Sequence, residues 1–164
     1  MKLELQTKRA QWLILALIVL VLDYVTKQYA SSVLSYAQPV PVIPVFNFTL
    51  VHNYGAAWSF LADQGGWQRW FFAVIAIVVS AGLIGWLLFT KQVSQWERLA
   101  IALVLGGALG NLYDRVFLGY VIDFLDFHYA GRHFPAFNIA DVGISCGAAI
   151  LIFDSLFFTR GKHE

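Results

Sequence analysis

The chain has 164 residues, 59% of them hydrophobic and 13% charged, with a net charge of +1. That balance belongs to the membrane class, and the length suits one integral-membrane domain over residues 1–164, built from a few helices. It excludes the basic surface that nucleic-acid binding needs, and the lone Cys146 excludes an intrachain disulfide or a cysteine-rich metal site.

Four stretches are apolar enough to cross a bilayer, which takes about 20 residues. The first, residues 12–30, carries Asp23 and Lys27. Lys2, Lys8 and Arg9 ahead of it also suit a secretory signal peptide, with Ala30-Ser31-Ser32 as a weak cleavage site. The two charges inside it and the three spans downstream favour a retained helix. Asp23 and Lys27 are four residues apart, so they share a helix face and are expected to pair, as a structural ion pair or as a polar cluster that positions substrate.

The segment 31–66 is irregular. Pro39, Pro41 and Pro44 suit an edge strand or extended chain. Val45-Phe46-Asn47-Phe48-Thr49-Leu50 alternates with period two, as a half-buried strand does. Residues 55–62 suit a short helix lying in the membrane interface, and Asp63-Gln64-Gly65-Gly66 a turn. The second span, residues 67–90, has no charge between Trp70 and Lys91, and a short connection leads to the third, residues 96–114. There Gly106-Gly107-Ala108-Leu109-Gly110 lacks the Lys-Ser/Thr of a phosphate loop, while Gly106 and Gly110 have the small-xxx-small spacing of close helix packing. Asn111 and Asp114 share one face of that helix. Asp114 opposes the dipole at its C-terminal end, so it needs a cation, and Arg115 and Lys27 are available.

Residues 120–127 read as a strand, with Gly131 and Pro135 as breakers before the fourth span, residues 138–158. Asp123 and Asp126 are three apart, so a strand points them to opposite faces and only one can enter a common site. Asn138 suits a helix N-cap, with Asp141 at the third helical position. Cys146 is expected to lie beyond the site. If the chain crosses four times, Lys2, Lys8, Arg9, Lys91, Arg98, Arg160 and Lys162 fall on one side, and Lys27, Arg69, Arg115 and Arg132 on the other. The richer side is cytoplasmic, which puts both termini inside and the two long segments outside. Trp12, Trp86 and Trp96 then mark the inner interface, and Trp67 and Trp70 the outer one.

Asp123 and Asp141 each stand among apolar residues where a span meets water, in Tyr120-Val121-Ile122-Asp123-Phe124 and Phe137-Asn138-Ile139-Ala140-Asp141. A buried acid is costly unless it is paired or has work to do. Two close carboxylates cannot both ionise, so one keeps a proton while the other serves as base for a water. The pattern suggests a membrane-embedded aspartyl hydrolase that needs no cofactor. His52, His128 and His133 lack the helical two-histidine spacing, so no metal site is expected. Ser59 and His52 are possible members of a triad, which spacing alone does not exclude. Two other classes compete: a proton-coupled membrane carrier using the same acids as a relay, and a scaffold whose acids only cap and pair helices.

Four blocks, in order along the chain, resemble the bacterial lipoprotein signal peptidase (signal peptidase II) family. They are Asp23-Tyr24-Val25-Thr26-Lys27; Asn53-Tyr54-Gly55-Ala56-Ala57-Trp58-Ser59; Gly110-Asn111-Leu112-Tyr113-Asp114-Arg115 with Gly119-Tyr120-Val121-Ile122-Asp123-Phe124; and Phe137-Asn138-Ile139-Ala140-Asp141. Tyr24 replaces a residue that is often polar in the family, and Trp58 stands where Phe is common. The resemblance implies an aspartic endopeptidase of the bacterial inner membrane, a multi-pass four-helix bundle with a small extracytoplasmic β-strand cradle and its active site near the outer face. It implies cleavage of prolipoproteins before a diacylglyceryl-modified cysteine, with Asp123 and Asp141 catalytic. Asn53, Asn111, Arg115 and Asn138 would support site and substrate, and Asp23, Lys27 and Asp114 would hold the surrounding architecture. Membrane lipids and globomycin-type inhibitors are the other partners implied, and a monomer is expected.

Overall fold

The computed structural model describes residues 2–55, 65–90 and 93–157. Its four long helices are α1 (Lys2–Val33), α2 (Trp67–Phe89), α3 (Gln95–Phe117) and α4 (Ile139–Phe157). Each holds a stretch of membrane-spanning length and composition, in α1 from Gln11 to Val33. The four helices cover the stretches read from the sequence as spans, with α3 running on to Phe117. The chain is a mostly helical membrane protein with a small antiparallel sheet.

α3 packs against α1, α2 and α4 and is the most buried of the four, whereas α2 buries only Gln68, Ala73, Ser80 and Leu87. Lipid is the solvent here, so the helix with most exposure can be the most apolar, and the central helix needs small residues instead. At Gly107 a Cβ would collide with the Ala140 carbonyl oxygen of α4, and at Gly110 it would stand 2.5 Å from Asp23 Oδ2 of α1. The second contact goes beyond helix packing, because Gly110 makes room for a buried carboxylate. At the other end of α3, Ser94 Oγ accepts from Glu97 N at 3.0 Å and Glu97 Oε2 accepts from Ser94 N at 2.7 Å, a reciprocal cap. Ser94 Oγ also donates to Asp154 of α4 at 3.3 Å, which ties those two helices together far from the sheet.

The sheet has the order β1 (Val40–Ile43), β2 (Phe46–Asn53), β3 (Val121–Tyr129), β4 (Arg132–His133), every pair antiparallel. Pro41 lies in an edge strand, the place a residue without an N–H is tolerated. β2 departs from a simple apolar-in alternation: Asn47 and Thr49 are buried while Phe46 and Phe48 are half-buried. Asp126 is the reason. It is itself buried, accepts from Thr49 Oγ1 at 2.8 Å and Asn47 Nδ2 at 3.3 Å, and lies 2.8 Å from His133 Nδ1. Burial pushes its carboxyl up, but these bonds together outweigh that and hold it below the usual range. The β3–β4 hairpin turns at Ala130 and Gly131, both with positive φ, as a two-residue turn between right-twisted strands requires. Gly65 and Gly66 form the turn before α2. The interfacial helix expected over residues 55–62 lies, from residue 56 on, outside the described residues, as does Ser59.

Candidate active site

Asp123 comes from the buried part of β3 and Asp141 from the first turn of α4, and Asn138 joins them. Asn138 Nδ2 donates to Asp123 Oδ1 at 2.7 Å, while Asn138 N donates to Asp141 Oδ2 at 3.2 Å. In return Asp141 N donates to Asn138 Oδ1 at 2.9 Å. The exchange between Asn138 and Asp141 is a capping box, the pattern that the sequence predicts for the start of this helix. Here the cap also places a carboxylate. Asn138 is fully buried, and its amide reaches Ile122 O and Asn111 Oδ1 as well, both at 3.2 Å.

The remaining donors come from β2 and α3. Asn53 Nδ2 donates to Asp123 Oδ2 at 3.0 Å, and Asn111 Nδ2 to Asp141 Oδ1 at 2.8 Å. Burial above all, then the charge of Asp141, pushes the Asp123 carboxyl up to about 7 against the pull of Asn53, Lys27 and Asn138. Arg115 braces the surroundings. Its guanidinium donates to Asn111 O at 3.2 Å and Gly55 O at 3.1 Å, and Gly55 N in turn donates to Asn53 Oδ1 at 3.0 Å.

Beneath these groups lies a buried polar cluster. Lys27, 1% exposed, uses its ammonium on Asp23 Oδ2 at 2.6 Å, Asp114 Oδ2 at 2.9 Å and Asn111 Oδ1 at 2.9 Å. Three acceptors match the three donors of an ammonium. Of the two cations available to Asp114, the fold therefore selects Lys27. Asp23 Oδ1 accepts from Ala140 N at 2.8 Å and Asp114 Oδ2 from Ile122 N at 3.1 Å, so the cluster touches both α4 and β3 beside the carboxylate pair. Lys27→Met is expected to destabilise the protein by about 3–5 kcal/mol, because it strands two buried carboxylates. A thermal midpoint in detergent close to that of the parent would contradict this.

A cavity of about 600 Å³ opens over the pair, lined by Asn53, Asn111, Arg115, Asp123 and Asp141 among others. Asp126 does not line it, in keeping with the strand parity. Cys146 does, together with Val142 and Ser145, which corrects the expectation that it lies beyond the site. The cavity follows α4 for more than one turn below Asp141, and residues one turn on share that face. His52 lines the sheet side and stacks on Tyr120 with ring centroids 4.0 Å apart. His128 and His133 stack on each other in the hairpin. Among the described residues, no three His, Cys, Asp or Glu side chains gather as metal ligands would. The backbone acceptors at Gly55 and Ile122 were not marked by residue type, and their only signal was their place inside the second and third blocks.

Comparison with known proteins gives one answer. A family model for signal peptidase (SPase) II matches residues 15–157. A lipoprotein signal peptidase of Teredinibacter turnerae is 55% identical, over 92% of this chain and 89% of its own length. One of Pseudomonas aeruginosa is 54% identical, over 95% and 93%. A bacterial membrane enzyme solved by the in meso method superposes with a TM-score of 0.83 at 34% identity, covering 94% of this chain and 93% of that one.

Proposed function

This chain belongs to the signal peptidase II family, a multi-pass membrane protease that removes the signal peptide from prolipoproteins, and on that premise we propose that Asp123 and Asp141 are its catalytic pair. The observation that carries the reading is Asn138, one residue hydrogen-bonded to both carboxylates. The positive end of the α4 dipole favours negative charge on Asp141, so Asp141 is the base and Asp123 holds the proton at rest. Asp141 takes a proton from water as the oxygen attacks the scissile carbonyl, and Asp123 gives its proton to the carbonyl oxygen. The resulting diol returns a proton to Asp123 as Asp141 passes its own to the leaving nitrogen, and the C–N bond breaks. The pair titrates as a unit. Asn53 and Asn111 orient the two carboxylates, Arg115 holds the Asn53–Gly55 turn, and Asp23, Lys27 and Asp114 fix the ground beneath.

In this reading cleavage falls just before a diacylglyceryl-modified cysteine, and globomycin-type inhibitors compete for the same cavity. The carrier alternative has no support in the site: both acids stand at the ends of elements, on a strand and in a first helical turn, rather than midway through broken helices. Purified protein incubated with lipid-modified precursor is expected to shorten it on a gel, and a precursor left whole would reject the reading. Activity is expected to survive a strong chelator, and Cys146→Ala is expected to keep its kcat, since neither metal nor thiol takes part. Loss on chelation restored by zinc would remove the aspartyl mechanism.

The sheet side of the molecule is placed outside and both termini in the cytoplasm, from the seven-to-four division of Lys and Arg between the two sides. In a Cys146→Ser background, a cysteine at position 129 is expected to react with an impermeant reagent added to intact cells. Reaction at position 162 instead would invert the assignment.

A further inference from the structure

Among the described residues, β2 is covered only in part along the edge that faces away from β3. β1 pairs with Phe46, Asn47 and Phe48, and Ala37 N donates to Leu50 O at 2.9 Å. Beyond Leu50 no described segment pairs with that edge. The direction of the next backbone groups follows from β3. Ile122 sits opposite His52, yet Ile122 N donates to Asp114 Oδ2 and Ile122 O accepts from Asn138 Nδ2. Both of its backbone groups therefore point away from β2. In an antiparallel ladder this marks a non-hydrogen-bonded pair, so the His52 N–H and C=O point away from β3 as well, to the open edge. β2 ends at Asn53, and Tyr54 follows directly after it. His52 and Tyr54 both line the cavity that holds Asp123 and Asp141.

We infer that this edge of β2 takes the substrate as an added strand: the extended residues just downstream of the lipidated cysteine pair with the backbone of His52 at the end of the strand. The inference rests on the peptidase reading and specifies a subsite within it. The opposite wall of the cavity, Val142, Ser145 and Cys146, runs down a spanning helix and suits apolar substrate parts. The sheet lies outside the spans, where the mature chain must leave toward water. Strand addition obtains affinity from main-chain bonds and tolerates varied side chains. Such bonds form equally in ground and transition states, so they act on KM rather than kcat.

The test uses lipidated precursor peptides carrying one N-methylated residue at each of the first four positions after the cysteine. Methylation is expected to raise KM roughly tenfold at the one position whose N–H donates to the His52 carbonyl, with kcat kept, and to be tolerated at its neighbours. His52→Pro removes the N–H on a side where an edge strand accepts proline. It removes the bond from the His52 N–H to a substrate carbonyl, which methylation of the peptide leaves in place. It is therefore expected to raise KM for every peptide and to add to the methylation effect, while His52→Ala keeps the position dependence. Thermal midpoints establish that both variants are folded. A flat methylation profile over the four positions, or an unchanged KM in His52→Pro, would overturn the inference. Failure to cut the unmethylated peptide would instead overturn the peptidase reading itself.

Discussion

Asp123→Asn and Asp141→Asn are each expected to lower kcat by several orders of magnitude, because groups acting as a unit lose most of their effect when either is removed. An amide can neither take the proton from water nor share one. Both variants are expected to fold. For Asp123 the sign can be worked out: its folded-state carboxyl is raised to about 7, so ionising it costs stability progressively between about pH 4 and pH 7. Removing that charge leaves the thermal midpoint at pH 8 equal or higher, whereas at pH 4, where the parent carboxyl is protonated, the difference closes. In the parent enzyme the alkaline limb of the kcat/KM profile is expected near pH 7, where the pair loses its shared proton. Asp126→Asn is expected to leave kcat nearly unchanged and to act on stability, because its contacts are with Asn47, Thr49 and His133. Substantial turnover by Asp123→Asn, or its complete loss in Asp126→Asn, would mean that the pair is wrongly assigned.

The second large effect concerns the lipid. The cavity over the carboxylates continues along α4 past Val142 to Cys146, below the level of the sheet, so the scissile bond must be held at the depth where helix and strand meet. In the proposed reading a diacylglyceryl group does this. Its chains contribute about 0.8 kcal/mol for each buried CH₂, and two chains anchor where one does so only marginally. Anchoring also fixes the height of the cysteine, which raises the effective concentration of the preceding peptide bond at the pair. Lipidated precursor is expected to be cut in detergent micelles, and the same precursor without diacylglycerol to remain whole even at high concentration. Equal rates would show that the lipid is not read, leaving a membrane aspartyl peptidase of unspecified substrate.

The spans were legible because a bilayer imposes length and apolarity on each helix independently of its neighbours. The capping box of Asn138 and Asp141 and the opposite parity of Asp123 and Asp126 were legible for a similar reason, since both are local. What was not legible is long-range. Nothing near Lys27 marks Asn111 as its acceptor, 84 residues away, and nothing near Asp114 decides between Arg115 and Lys27. The buried face of β2 ran against its pattern because the partner of Asn47 and Thr49 is an acid on another strand. β4, two residues long, is too short to carry a period. Cys146 was misplaced because the extent of a cavity along a helix depends on what fails to pack there.

The position of Asn138 also bears on when the enzyme becomes active. Its side chain needs Ile122 and Asp123 from β3 and Asn111 from α3, and its backbone begins α4. The two carboxylates are therefore brought together by the same contacts that dock the last helix on the rest of the bundle. On the proposed assignment of Asp123 and Asp141, a newly inserted chain has no route to a working pair before its final helix is seated. Proteolytic competence is thereby deferred to the end of assembly, and the membrane is spared a half-built protease.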